Sequence, residues 1–418
     1  MTYVTDHNIF PAAQPGHTLL LSTLMHRTAV DAAGQALGRL TDIIVRLRDE
    51  TYPLVTGLVV HVGSRQVYVP ATEILVWDEQ RLELASARLD LRQFACRPGE
   101  VLLRNDVLGH RLVDVDQSRL VTARDVRLTH AGDRWQAVAV DIHPRGLLRR
   151  RSQHTWRDWS RVEALLGHDV SLPARARLGG LRRLKPAQLA DLIEEASDQE
   201  QQELLSRVHA HPELEADVFE ELDENEAGDL LEARTDAQVA DVLSRMRSDD
   251  ATDALLDLPQ ERRQPVLELL PEGKRLKVIV LLGYQEATAG GLMGVDFLQV
   301  PSTSTAADVL HAVRQATQMQ PEAIVVAYCH DPNHRLAGAV SLVALCQSDP
   351  QATMAVLADP EPVHVHPDAD LTEITRAMAD YNLLVLPVLD GDDRLIGVLT
   401  VDDVLEAAIT PEQRRMRG

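Results

Sequence analysis

The chain has 418 residues and a formal net charge of −22, enough length for about three domains of ~150 residues. So acidic a chain excludes general nucleic-acid binding by counterion release, and an aromatic content of 3 % leaves few base-stacking platforms. Cys96, Cys329 and Cys346 fall in no pairable spacing, which suits a reducing, cytoplasmic setting with thiols buried as small apolar groups.

No uncharged apolar run approaches the ~20 residues that span a bilayer. The segment "TLLLSTLM" (Thr18 to Met25) lacks the flanks of a signal peptide, so a soluble protein is expected.

Residues 17–90 read as β-rich. "LGRLTDIIVRL" (Leu37 to Leu47), "LVTGLVVHV" (Leu54 to Val62) and "QVYVP" (Gln66 to Pro70) are short apolar runs separated by turn residues. Residues 94–150 repeat the plan loosely: Leu108-Gly109 and its downstream Asp echo Leu37-Gly38. Two small β domains, barrels or sandwiches, are expected. Residues 151–185 form a basic linker, part of a stretch running from "RGLLRRR" to "GGLRRLK".

Residues 186–293 read as a helical repeat array. "LKPAQLADLIEEAS", "HPELEADVFEELD", "ENEAGDLLEART" and "DAQVADVLSRMRSDD" carry apolar residues at helical spacing, with Asp or Ser at the joints. Between Pro186 and Gln260 roughly twenty acids face about four bases, a single-sign field. Residues 294–410 change again. A helix, a strand, a turn, a strand and a helix occur twice, with "EAIVVAYC" and "LLVLPVL" as buried strands.

The second of these copies, "VHPDADLTEITRAMADYNLLVLPVLDGDDRLIGVLTVDDVLEAA", resembles a CBS domain; its core is Leu386-Pro387-Val388, a turn, and Gly397 through Asp403. Residues 301 to 350 share the layout, so 294–410 is expected to be a tandem CBS pair that homodimerises. The join "LLGYQEATAGGLMGVDFLQV" (Leu281 to Val300) is similar to the signature between the N domain and CBS pair of MgtE magnesium channels. Residues 17–150 resemble PRC-barrel domains on "LGRLTDIIV" and "TGLVVHVGSRQVYVPATEI".

The resemblance therefore implies a multidomain α+β chain: PRC-like β-barrel repeats, an α-helical superhelical repeat domain and a C-terminal α/β CBS pair. It also implies a cytosolic magnesium sensor that closes when ions bridge acidic surfaces. Where MgtE proteins continue into a connecting helix and a membrane pore, this sequence ends in "EAAITPEQRRMRG". A poreless, non-enzymatic regulator acting on a partner, a membrane transporter, is expected.

In MgtE proteins the second acid of the pair matching Asp402-Asp403, and the acid three positions later, contribute to Mg²⁺ sites. Those positions are Asp403 and Glu406 here, with Asp402 and Asp380 as further candidate ligands. Three or four apart on a helix, such acids share a face, and carboxylate oxygens suit Mg²⁺. Asn382 and Ala287 stand where the family carries acids, so fewer or weaker ions are expected.

Thr400 and Asp403 also meet the Ser/Thr-x-x-Asp pattern of a ribose-binding CBS half-site, which implies ATP or AMP as an alternative ligand. In the first copy Ser341 is followed by Ala344, and the acid is gone. Helix capping by Thr400 and Asp403 accounts for the same pattern. "HVHPD" (His364 to Asp368) resembles the His-x-His of metal hydrolases, a third alternative, although a strand entering a CBS helix also explains it. "CHDPNH" (Cys329 to His334) reads as a soft-metal site or a hairpin turn.

Overall fold

The computed structural model describes residues 18–47, 51–78, 80–85, 90, 92–97, 99–131, 134–143, 154–165, 179–285, 287–317, 319 and 321–408. The basic run Arg145–Arg151 and the basic tail 409–418 lie outside them. The chain divides into two compact units, Met1–Leu222 and Asp223–Gly418.

In the first unit, strand β1 (Thr18–Leu20) runs into a short helix, α1 (Leu21–Leu24). Then come β2 (Thr28–Asp31), β3 (Ala36–Arg46), β4 (Leu54–Val62), β5 (Arg65–Pro70), β6 (Ile74–Trp77), β7 (Leu82–Leu84) and β8 (Glu100–Leu102). They are followed by β9 (Arg111–Asp114), β10 (Arg119–Thr122), β11 (Asp125–Ala131), β12 (Arg134–Asp141), β13 (Trp156–Asp158) and β14 (Val162–Ala164). The larger sheet has the order β1-β11-β12-β4-β3-β2-β7-β6, with β5, β8 and β13 at its flanks; β10-β9-β14 form a smaller one.

The two expected β segments share this sheet, because β12 pairs with β4 through Gln136 and Leu54, and β8 pairs with β3. One apolar core spans both, from Leu19 and Leu40 to Val126, Val140 and Trp159. The segment read as linker supplies β13 and β14. Trp159 and Val162 bury there, and that apolar content outweighs the surrounding arginines.

Helices α2 (Pro186–Glu195), α3 (Asp198–His209) and α4 (Pro212–Glu221) complete this unit. Their acids meet arginines. Arg111 of β9 donates to Glu200 at 2.5 Å, and Arg207, buried in α3, joins Glu203 at 3.0 Å and Glu163 at 2.8 Å.

The second unit opens with five helices: α5 (Glu224–Glu232), α6 (Asp236–Arg245), α7 (Ser248–Asp257), α8 (Gln260–Leu269) and α9 (Glu272–Leu281). Two of their starts, those of α5 and α6, carry side-chain caps. Asp223 accepts from Asn225 N, and Thr235 forms a capping box with Gln238. Val239, Leu243 and Leu255 fill the helix–helix seams at the expected spacing.

The remainder is the repeated unit. Helix α10 (Ala289–Leu292) precedes β15 (Gln299–Pro301), α11 (Ala306–Gln315), β16 (Val326–His330), β17 (Leu336–Ser341), α12 (Leu342–Gln347) and α13 (Met354–Leu357). The second copy has α14 (Leu371–Tyr381), β18 (Val385–Leu389), β19 (Leu395–Thr400) and α15 (Val401–Ala408). The copies match in detail. β15 runs parallel to β16, as Val365 bridges in parallel to Val388, and each copy closes with an antiparallel pair.

Leu386 and Leu399 are fully buried, each contributing about 1.5–3 kcal/mol. Tyr328, Val385, Leu395 and Val398 knit one copy to the other. The join between helices and repeat is fixed by backbone: Ala289 N donates to Ala369 O and Gly290 N to Pro367 O, both at 2.9 Å. A Cβ on Gly290 would lie 2.5 Å from the Tyr284 ring, and one on Gly397 would lie 2.4 Å from the Met293 sulfur, so both positions need glycine.

Candidate functional site

Strand β19 ends at Thr400, which is buried, and α15 begins at once. The Thr400 hydroxyl donates to Asp403 Oδ2 at 2.7 Å, Thr400 N donates to the same oxygen at 3.2 Å, and Asp403 N donates back to the hydroxyl at 3.3 Å. This is a reciprocal cap, with the acids of the first turn at the positive end of the helix dipole.

The cap uses only one oxygen of Asp403. The other, Oδ1, accepts from Arg247 Nη1 at 2.7 Å. Arg247 stands at the joint between α6 and α7, and its Nε donates to Asp250 Oδ2 at 2.5 Å. One guanidinium therefore bridges an acid of the helical array and an acid of the CBS-like repeat. The Asp403 side chain is only 9 % exposed, against 21 % for Arg247 and 22 % for Asp250.

Asp249, half-buried in the first turn of α7, adds a further negative charge. Burial pushes its carboxyl above the usual range; the charge of Asp403 adds to that shift, and Arg247 and Lys274 oppose it. Lys274 Nζ donates to Met246 O and lies 3.4 Å from Ser248 Oγ. Two cations thus face three carboxylates around the start of α7.

Of the residues singled out from the sequence, Thr400 and Asp403 are joined. Asp402 and Glu406 lie exposed on α15, and Asp380 is exposed near the end of α14. Asp402, Asp403, Glu406 and Asp380 form no group of three directly converging ligand atoms among the described residues. Arg247, Asp249 and Asp250 were not singled out. Their signal was "MRSDD", a base beside two acids at a helix joint in an otherwise acidic array.

The other constellations resolve differently. His364 and His366 are exposed and flank buried Val365, as alternation requires, but their Nδ1 atoms turn to backbone oxygens of Pro362 and Leu389. Asp331 closes a hairpin turn by accepting from Asn333 N and Arg335 N. Cys329 is buried in the core away from solvent, whereas Cys346, expected to be buried, is exposed.

Cys346 borders a cleft of about 610 Å³ between the two copies, lined also by Ser341, Val343, Asn382 and Leu384. Ser341 accepts from Ala344 N, and among the described residues the lining contains no carboxylate. Among the described residues no helix is long and apolar enough to cross a membrane.

Residues 184–287 match the MgtE intracellular N domain, and residues 355–410 match the CBS domain. The chain is 39 % identical over 161 residues to the magnesium transporter MgtE of Thermus thermophilus, which is 38 % of this chain and 36 % of that protein. The second half of this chain is MgtE-like. A second relative, the magnesium transporter MgtE of Enterococcus faecalis, is 30 % identical over 126 residues, 30 % of this chain and 28 % of that protein. The chain thus spans about a third of the length of these relatives.

Among solved structures, the cytosolic domain of the Mg²⁺ channel MgtE in complex with ATP aligns with a TM-score of 0.51 and 32 % identity, over 54 % of this chain and 91 % of that one. The soluble part of a magnesium transporter aligns with a TM-score of 0.51 and 26 % identity, over 55 % of this chain and 90 % of that one. The first copy, which the CBS match leaves out, has the strand pairing of the second.

Proposed function

We infer that the MgtE-like half is a Mg²⁺-responsive regulatory module that docks acid-rich helices against the CBS pair. The observation that carries this is the Arg247 bridge, where a cation already stands between Asp250 and Asp403. Like charges brought together need a counter-charge; burial, with the charge of Asp403 adding to it, holds the Asp249 carboxyl above the usual range although Arg247 opposes the shift.

Mg²⁺ prefers carboxylate oxygens and keeps several of its waters, so it can serve loosely arranged acids without a dry cage. Asp403, Glu406, Asp402 and Asp380, with Asp249 and Asp250, are the proposed ligands. When Mg²⁺ is scarce the acids repel and the helices leave the CBS pair; when it is abundant they close. Arg247 holds part of the closed population without the ion, so the switch is biased rather than absolute. The module binds and switches and assigns no catalytic step.

Its output is a partner, a membrane transporter on the cytoplasmic side. Exposed Val343, Tyr381 and Leu384 around the CBS pair supply apolar surface for a homodimer. The PRC-barrel likeness of residues 17–150 belongs to the same proposal, as a second adaptor segment.

An adenine nucleotide is the second reading, favoured by the ATP complex of the similar cytosolic domain and by the cleft between the copies. Against it, the described lining of that cleft offers no carboxylate to hold a ribose. Small-angle scattering of the purified chain between chelator and ~10 mM Mg²⁺ separates the two. Compaction with Mg²⁺ alone supports the ion switch. Unchanged scattering with Mg²⁺, together with calorimetric ATP binding that Thr400→Val abolishes, supports the nucleotide instead.

A further inference from the structure

In the N-terminal sheet, the last residue of β12, Asp141, is fully buried, and two imidazoles converge on one of its oxygens. His143 Nδ1 lies 2.8 Å from Asp141 Oδ2, and His154 Nδ1 lies 2.5 Å from it. The other oxygen accepts the backbone N–H groups of His143 at 3.1 Å and Thr155 at 3.0 Å.

Strand register explains the convergence. Asp141 pairs with Trp156, and Ile142 N donates to Thr155 O, so His143 and His154 are the next pair across the ladder. Asp141 and His143, two apart on an extended strand, share a face. The backbone thus delivers three ligands of metal-binding type to one point, with the carboxylate oriented by two N–H donors. That is the outer support a metal ligand needs.

We propose that Asp141, His143 and His154 bind a transition-metal ion of the Zn²⁺ class, separate from any Mg²⁺ response of the MgtE-like half. Imidazole nitrogen suits Zn²⁺, Co²⁺, Ni²⁺ and Cu²⁺ and is a poor match for Mg²⁺. The three ligand atoms lie within 4.8 Å of one another. Tetrahedral Zn²⁺, with bonds of roughly 2.0–2.2 Å, sets its ligands about 3.3 Å apart. From 2.8 and 2.5 Å, each imidazole nitrogen must therefore back away from Asp141 Oδ2 by under ~1 Å.

The His154 side chain, 57 % exposed, can make that movement, and His143, 22 % exposed, leaves a path for the ion. On binding, each imidazole exchanges its Nδ1–H for the Nε2–H tautomer, which frees the Nδ1 lone pair. The net charge of each ring is unchanged. Three protein ligands leave a fourth position for water. The ion ties the end of β12 to the start of β13.

The test is a Co²⁺ titration of the full chain after chelator treatment, read by visible d–d absorption, with Zn²⁺ as competitor. The expected result is one equivalent of Co²⁺ in a low-coordinate spectrum, displaced by Zn²⁺ and untouched by millimolar Mg²⁺. His154→Ala and His143→Ala should each weaken binding by more than the ~10–100-fold typical of losing an outer-shell partner.

His364→Ala with His366→Ala should leave binding unchanged. Circular dichroism and melting of each variant show that it is folded, and His154, being exposed, is the variant least coupled to folding. Zn²⁺ should also raise the melting temperature of the parent chain and not that of His154→Ala. Absence of the d–d spectrum, or a spectrum that survives both histidine substitutions, overturns the proposal.

Discussion

Replacing Arg247 by alanine should release the helical array from the CBS pair. The guanidinium holds Asp403 Oδ1 at 2.7 Å and Asp250 Oδ2 at 2.5 Å. Removing one partner of a fully buried ion pair costs about 3–5 kcal/mol, because the remaining charge is stranded. Arg247 and Asp250 are about a fifth exposed, so solvent screens part of this, leaving roughly 2–3 kcal/mol.

At 1.4 kcal/mol per tenfold, the closed form then loses about 30- to 150-fold in population. Limited proteolysis in chelator, read at α7 and α15, should show the variant cleaved faster than the parent chain. Millimolar Mg²⁺ should restore much of the protection, and Arg247→Lys should retain part of it, since an ammonium keeps the charge but loses the fork. If Arg247→Ala is protected like the parent in chelator, or if Mg²⁺ restores nothing, the bridge does not control docking.

Tyr328→Phe should stabilise the CBS pair by about 1 kcal/mol in denaturant melts, because the buried Tyr328 hydroxyl has no hydrogen-bond partner among the described residues; destabilisation would mean the hydroxyl is bonded to water. Asp42 is buried and its carboxyl is pushed up to about 6, so its folded state binds the extra proton. Stability of the first unit should therefore fall by up to about 3 kcal/mol as pH rises from ~4 to ~6, and Asp42→Asn should flatten that slope.

Glu200 behaves oppositely. The Arg111 guanidinium holds it down at about 2, so its contribution is full above ~4.5 and is lost as pH falls toward ~2. Screening at a partly exposed pair limits this to about 1–2 kcal/mol, and Arg111→Leu should remove it.

Much of the second half was legible because its signals are local. Thr400 and Asp403 are three apart and form the cap their spacing suggested. The apolar run around Leu386 is a buried strand, and Thr235 caps a helix where the polar joint fell. What the sequence hid is long-range. Arg247 and Asp403 are separated by 156 positions, and nothing in either segment names the other.

The glycine at 397 reads as an ordinary strand residue until Met293 is seen against it. Strands β13 and β14 were masked by the arginines around Trp156 and Val162, since charge density suggested a solvated stretch. Asp141, His143 and His154 left one faint mark, the Asp-x-His alternation at the end of β12. Their third member lies across a ladder that only the fold reveals.

Hydrogen exchange at α7 and α15 of the intact chain, followed from chelator to ~10 mM Mg²⁺, addresses the switch where it acts. The amides of both helices should gain protection together, saturably, and Asp403→Ala should abolish the gain. Protection that is flat across the titration, or that rises equally in Asp403→Ala, would contradict a cation-driven closure.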